Sequence, residues 1–374
     1  MPVRALARVN LAAIERNVLR LRSGLAEGCV LCAVVKADGY GHGAVPAARA
    51  ALAGGAGWLA VATAGEAVEL RQAGIESPIL IMGAVSAEEL PWALAARAEL
   101  VAWTDEFVDE VARAGGPGTP IHVKLDTGMG RLGTRDSAQA LQVAERVAAA
   151  APAVRLAGAM THFATADDDP EFLAEQLRAF APFVEQMRRR YPGIVVHAAN
   201  SAATLRTAQS HFDLVRCGIA IYGCDPANAD PSARGFDPAL ELTSYIAAVK
   251  PAEPGDSVGY GRRFTAERPT WIATAPIGYA DGIRRAFTNN LEALVGGARY
   301  PLVGTVSMDN IALDLGPEPS AQPGDIVTII GTDGEQRQTA EELARRIDTI
   351  NYEIVCGISE RVPRQYHRDG APVE

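Results

Sequence analysis

Lysine is scarce in this chain: Lys36, Lys124 and Lys250 are the only three among 35 basic residues, the rest being arginine. Two of the three stand where chemistry is plausible. Lys36 closes the apolar run Val30-Leu-Cys-Ala-Val-Val35, and a lysine so placed is partly desolvated, which favours the neutral amine that imine formation needs. Lys124 ends the segment from Ile121, with Arg131 just beyond it. His162, the pair Asn200-Ser201, and Arg216 follow or close three further β-branched runs. Any one of them is explained as a polar group at a strand end, and Ser201 also as a helix N-cap. Their shared placement points to one site.

The elements that carry these residues alternate between short β-branched runs and Ala/Leu/Glu/Arg-rich segments of helical period. Strands are expected at Val30–Val35, Trp58–Thr63, Pro78–Met82, Leu100–Thr104, Ile121–Leu125, Leu156–Met160, Ile194–His197 and Leu214–Cys217, with helices such as Gly65–Ala73, Ala138–Ala149 and Glu171–Arg190 between them. Each parallel return needs a crossover of about a dozen residues, so eight such units predict an α/β fold, a (β/α)8 TIM-type barrel, with a doubly wound sheet as the alternative. In a barrel the reactive residues collect at the carboxyl ends of the strands, where the residues above fall. After Leu240 the pattern becomes strand-rich (Leu242–Val249, Trp271–Pro276, Ile326–Ile330) and is punctuated by Pro254-Gly-Asp and Pro323-Gly-Asp turns, with one helix at Gln338–Ile347. Two domains are therefore expected: residues 1–240 as the barrel, then a mainly β C-terminal domain, 241–374.

Composition narrows the function. The chain has 374 residues, 48% of them hydrophobic and 21% charged, within the range of folded proteins. A formal net charge of −10 leaves no basic footprint for nucleic acid or for an anionic membrane surface. Neither a signal-peptide core nor a membrane-length apolar run is present, so a cytoplasmic location is expected. The five cysteines suit reduced thiols. Cys29-Val-Leu-Cys32 has zinc-ligand spacing but no second pair follows it, and no metal is expected.

The segment Val35-Lys36-Ala-Asp-Gly-Tyr40-Gly-His-Gly43 resembles the cofactor-lysine segment of bacterial alanine racemases. Further segments resemble that family in the same order: Lys124-Leu-Asp-Thr-Gly-Met-Gly-Arg131, Thr161-His162-Phe-Ala-Thr-Ala-Asp167, His197-Ala-Ala-Asn200-Ser201, Val215-Arg216-Cys-Gly218-Ile219, Val258-Gly-Tyr260-Gly261, Gly278-Tyr279-Ala-Asp-Gly282, Ser307-Met308-Asp-Asn310 and Asn351-Tyr352-Glu353. The resemblance implies interconversion of L- and D-alanine on pyridoxal 5'-phosphate (PLP), supplying D-alanine for peptidoglycan. It implies that Lys36 holds PLP as an imine and then serves one face of the substrate's Cα, while Tyr260 serves the other from a neighbouring subunit.

By the same resemblance Arg216 partners the pyridine nitrogen. A guanidinium does not give up its proton there, so the cofactor is a weaker electron sink than one facing a carboxylate. Tyr40, Ser201, Gly218, Ile219 and Tyr352 match the phosphate contacts, and His162 and Asn200 also fall in the cofactor site. Arg131 matches the residue touching the cofactor's phenolic oxygen and the substrate carboxylate, and Lys124 a lysine that some members carbamylate. Met308 resembles a substrate-carboxylate contact and Tyr279 an entrance residue. Tyrosine, with an ordinary pKa near 10, needs nearby positive charge to act as a base, and His162 and Arg216 are the expected sources. A homodimer with shared sites follows if Tyr260 and Met308 act across subunits.

Three departures from the family pattern touch the site's mouth: Asp38-Gly39 after the lysine, Gly259 before the tyrosine, and Ile283-Arg284. A racemase of serine or another amino acid remains a second reading. Barrel-type decarboxylases would place a carboxylate where Arg216 stands, and a non-catalytic PLP carrier would have no use for Tyr260 and Met308.

Overall fold

The computed structural model describes residues 3–116 and 118–373, so the outermost ends of the expected domains, residues 1–2 and 374, lie outside it. The chain groups into two units: Ile14–Ile221, and the residues up to Ala13 together with those from Tyr222 onward. The first strand and residues 222–240 thus group with the β-rich unit.

The chain opens with β1 (Leu6–Asn10). The next eight strands are β2 (Val30–Val34), β3 (Trp58–Val61), β4 (Ile79–Ile81), β5 (Glu99–Ala102), β6 (Thr119–Lys124), β7 (Val154–Met160), β8 (Val195–His197) and β9 (Leu214–Cys217). They form a closed barrel in sequence order, with β9 returning parallel to β2 so that Val30 faces Leu214. All eight expected strands are present, with ends shifted by a residue or two. Both strand faces are covered, as parallel sheets require: Leu59, Ile79, Leu80, Phe180 and Phe183 are fully buried, each stabilising the fold by about 1.5–3 kcal/mol on burial.

The crossover helices start where the sequence supplies caps. Thr63 and Glu66 form a capping box ahead of Ala64–Gln72, and Asp169 caps Pro170–Arg190, whose first-turn proline has no N–H to orphan. The β6–β7 pairing carries a bulge between Ile121 and His122. Burial pushes the Cys29 thiol up to about 11 and that of Cys32 higher still.

The second unit contains β10 (Leu240–Tyr245), β11 (Ala248–Ala252), β12 (Ser257–Val258), β13 (Phe264–Thr265), β14 (Thr270–Ala275), β15 (Glu292–Val295), β16 (Ala298–Pro301), β17 (Ile311–Asp314), β18 (Ile326–Asp333), β19 (Gln336–Gln338), β20 (Arg364–Arg368) and β21 (Ala371–Pro372). Its large sheet runs β16-β15-β18-β10-β1-β20-β21, with β19 paired to β18. A three-stranded sheet, β11-β14-β17, and the β12-β13 ribbon complete it.

The single strand expected at Leu242–Val249 is two. At the break the Ile246 N–H bonds to Asp325 O (2.8 Å) and the Ala247 N–H to Thr274 O (2.8 Å), so the chain leaves one sheet for another. Both Pro-Gly-Asp turns close with a backbone bond from the Asp N–H to the residue three before it, Glu253 (2.9 Å) and Gln322 (3.1 Å), and their glycines take the left-handed φ a type II turn needs, +97° and +101°. The expected helix at Gln338–Ile347 spans Ala340–Arg346, because Thr339 and Glu342 cap it. Among the described residues no helix is long and apolar enough to cross a membrane.

Candidate active site

Lys36 begins a compact turn, Lys36–Tyr40, at the carboxyl end of β2. Ala37, Asp38 and Gly39 have left-handed backbone (φ 53°, 51° and 60°), which costs a non-glycine residue about 1–2 kcal/mol. Polar clamps hold it. Glu66 Oε1 accepts from the Ala37 N–H (2.7 Å) while its Oε2 accepts from Ala62 and Thr63 (2.7 and 3.1 Å), and Asp38 Oδ1 accepts from the Ala44 N–H (2.8 Å). Gly39 fits because a Cβ there would press on Ala47 Cβ at 3.2 Å. The Asp38-Gly39 departure thus suits a left-handed turn, since aspartate and glycine tolerate that conformation best.

Tyr40 is buried, and a Cβ on Gly218 would collide with its hydroxyl. The Gly218 N–H donates to Ser201 Oγ at 2.9 Å. Tyr40, Ser201 and Gly218 therefore form one cluster, followed by fully buried Ile219. Ser201 is not the helix cap: Asn200 is, its side chain accepting from the Ala203 N–H at 3.0 Å.

Arg216 is 2% exposed and anchored on two neighbouring strand ends, those of β7 and β8. Its Nη2 lies 2.9 Å from Thr161 O, 2.8 Å from Ala198 O and 3.1 Å from His162 Nδ1, and its Nη1 donates to His197 Nδ1 at 2.8 Å. Its Nε is buried and has no acceptor among the described residues. Burial pushes the guanidinium down to about 10, so it is cationic at neutral pH. Burial, then Arg216, Lys124, Arg131 and Lys36, hold His162 well below its ordinary value. The expectation that His162 supplies positive charge is overturned, because a ring accepting from a guanidinium among four cations stays neutral.

Lys124 is 3% exposed. Burial first, then Arg216 and Arg131, push its ammonium down to about 8. Arg131 is exposed, in a loop shaped by Asp126, whose carboxylate accepts from the N–H groups of Gly128 (3.0 Å) and Gly130 (2.9 Å). Gln176, fully buried, ties Thr127 Oγ1 (3.2 Å) to His162 O (3.2 Å) and the Ala164 N–H (2.9 Å).

In the other unit Tyr260, Tyr279 and Met308 are 74%, 43% and 51% exposed. Tyr260 and Tyr279 line one depression with Arg284, Arg285 and Val306. Backbone bonds from Tyr279 to Ser307 O and from Ala280 to Met308 O, both 3.0 Å, hold Tyr279 beside Met308. Tyr352 is half-buried, next to Asn351, whose amide donates to Asp225 O (2.7 Å) and Glu341 Oε1 (2.9 Å). Sequence reasoning missed Gln176 and the buried set Glu99, His122 and His197. For Glu99, His122 and His197 a signal existed: polar residues on barrel strands that face the interior have no solvent to meet.

The family model described as alanine racemase, N-terminal domain, matches residues 9–226, and that described as alanine racemase, C-terminal domain, matches 239–366. The alanine racemase of Geobacillus kaustophilus is 40% identical, with 96% of this chain and 94% of that protein covered. The alanine racemase of a Nostoc species is 38% identical, with 96% and 95% covered. Among solved structures, alanine racemase from D-cycloserine producing Streptomyces lavendulae superposes with a TM-score of 0.92 at 38% identity over 98% of both chains. That from Bacillus anthracis with bound L-Ala-P gives 0.91 at 37%, over 100% of this chain and 97% of the other. With both units matched in order and along nearly the whole length, the chain belongs to the alanine racemase family.

Proposed function

We propose that this chain racemises alanine with PLP by moving protons through two groups, Lys36 Nζ on one face of Cα and Tyr260 Oη on the other. Family membership makes the reaction alanine racemisation. The observation that carries the cofactor reading is Arg216, a buried guanidinium with one N–H left without an acceptor. That donor fits a pyridine nitrogen. The Tyr40, Ser201 and Gly218 cluster fits a phosphate, since hydroxyls and a glycine-turn N–H are phosphate ligands. PLP supplies an aldehyde that captures amines and a ring that withdraws electrons from the substrate's Cα.

The residues divide the work by position. Lys36 carries the cofactor link and a proton, and Tyr40, Ser201, Gly218, Ile219 and Tyr352 form the phosphate end, with Asn200 capping the helix that carries Ser201. His162, held neutral, and Arg216 flank the ring. Arg131 and the backbone amide of Met308 hold the substrate carboxylate, so that the single Cα hydrogen points at one proton carrier in the L form and at the other in the D form. Lys124 has the amine that carbamylation needs, because an ammonium near 8 leaves neutral nitrogen available to combine with CO2 and release a proton. The resulting anion would sit among Arg131 and Arg216. The exposed Tyr260, Tyr279 and Met308 support a homodimer in which each face completes a neighbour's site. A cytoplasmic location is part of the same proposal.

The test is direct. Purified protein should carry the visible band of an imine-bound cofactor and abolish the optical rotation of L-alanine. A colourless protein that binds no PLP rejects the cofactor; serine racemised as fast as alanine replaces the substrate assignment.

A further inference from the structure

A line of hydrogen bonds runs from Arg216 across the barrel interior. Arg216 Nη1 meets His197 Nδ1 at 2.8 Å, His197 Nε2 meets His122 Nδ1 at 2.9 Å, and His122 Nε2 meets Glu99 Oε2 at 2.7 Å. The four residues come from β9, β8, β6 and β5. All are buried: His122 and His197 are 0% exposed, Arg216 2% and Glu99 9%.

The direction of this line is fixed at both ends. A guanidinium only donates and an ionised carboxylate only accepts. His197 Nδ1 must therefore accept, which leaves the proton on Nε2; that N–H donates to His122 Nδ1, and the His122 Nε2–H donates to Glu99. Two neutral imidazoles join the buried guanidinium to the buried Glu99 side chain with every ring nitrogen satisfied. Burial and the nearby Arg216 hold His197 well below its ordinary value, in keeping with a neutral ring. Among the described residues no carboxylate pairs with Arg216 directly.

The surroundings are shaped for this line. The bulge between Ile121 and His122 sets His122 opposite Gly158, and a Cβ on Gly158 would collide with His122 Nδ1. Trp58 packs edge-on against His122 with centroids 5.8 Å apart. A polar line through a barrel core is costly unless each member is satisfied, and here each linking atom has its partner.

We propose that Glu99 is a positioning residue for Arg216, acting through His122 and His197: as the terminal acceptor of the line its side chain fixes both tautomers and so holds the guanidinium in place. The inference rests on Arg216 facing the cofactor ring. Removing Glu99 orphans the His122 N–H, frees that ring to turn or change tautomer, and loosens the acceptor that fixes Arg216.

Histidine labelling tests this, because the chain has only six histidines. In [15N]histidine-labelled holoprotein, and in the cofactor-free form, His122 and His197 should both be neutral with the proton on Nε2. A proton on Nδ1 of either ring, or a doubly protonated ring, overturns the proposal. Glu99→Leu should move the His197 signal and lower kcat about tenfold with little change in KM, the scale typical of losing a hydrogen-bonded residue that orients an active-site group. Glu99→Gln, which keeps an acceptor, should retain both Nε2 protons, shift the His122 resonance and restore most of kcat. Wild-type kcat in Glu99→Leu, or a loss of kcat with the His197 signal unmoved, refutes the coupling. Should Glu99→Leu fail to fold, an unchanged His122 resonance in Glu99→Gln does the same. If the racemase reading itself fails, no variant racemises alanine, yet the spectra still report the line.

Discussion

Arg216 and Tyr260 carry two parts of the same proposed chemistry in opposite surroundings. Arg216 is 2% exposed and its guanidinium bonds to residues at the ends of two other strands, β7 and β8. Tyr260 is 74% exposed, in a short turn anchored by a bond from Thr305 Oγ1 to its backbone O at 2.6 Å. The barrel thus has its polar groups oriented before any ligand arrives, whereas the tyrosine face has a fixed backbone and side chains without cover. Preorganised groups lower the cost of binding and of reaction. Tyr260, Tyr279 and Met308 are exposed, and on the proposed reading a second copy covers them.

The sharpest way to break this contrast is to remove one proton carrier from each region. Lys36→Ala should lower activity about 10³–10⁴-fold, the upper range for a positioned acid/base group, and abolish the visible cofactor band. Tyr260→Phe should lower it about 10²–10³-fold while keeping the band, and should block Cα proton exchange from L-alanine more than from D-alanine. Equal retention of both exchanges removes Tyr260 from its role. Mixing the two inactive variants should restore part of the activity, because each hybrid dimer then holds one site with both groups intact. No recovery after verified subunit exchange argues against sites shared between copies.

The barrel was legible in the sequence because its strands are short, apolar and regularly spaced, and because caps such as Thr63 with Glu66 and Asp169 with Pro170 are local signals. The β1 strand was not: five residues, Leu-Ala-Arg-Val-Asn, gain their place only from partners more than two hundred residues away, in β10 and β20. The expected strand Leu242–Val249 failed for a similar reason, since its break at Ile246 depends on which sheet each peptide group meets. The residues of the barrel mouth were readable from type and order. The charge state of His162 was not, because three-dimensional crowding by Arg216, Lys124, Arg131 and Lys36 decides it.

Lys124 sharpens the contrast through pH. Its ammonium is pushed down to about 8 by burial, against about 10.4 in an unfolded chain. The unfolded state therefore binds more protons between these values, and this group's contribution to stability rises with pH across that window. Below pH 8 the full penalty applies, so Lys124→Met should stabilise the unmodified protein at pH 7 by up to about 3 kcal/mol. The gain should shrink from about pH 8 upward and be gone above about pH 10.4. Bicarbonate should shrink it too, since a carbamate removes the buried ammonium. Denaturant melts across pH, with and without bicarbonate, measure this; a gain that is flat from pH 7 to 11 contradicts the assignment.

The smallest effects separate two neighbours on one turn. Asn200 caps the Ser201–Arg206 helix through the Ala203 N–H, whereas Ser201 Oγ accepts from the Gly218 N–H across to the next loop. Asn200→Ala should cost about 1 kcal/mol of stability, the usual worth of an N-cap. Ser201→Ala removes a hydroxyl from the proposed phosphate end, and should weaken PLP binding while shifting the melting midpoint of the cofactor-free protein less than Asn200→Ala does. The two substitutions lie side by side in sequence, so nonspecific disturbance of the turn predicts equal effects on both measurements. A crossed pattern, stability lost in one and cofactor affinity in the other, follows only if the cap and the anion ligand are distinct side chains.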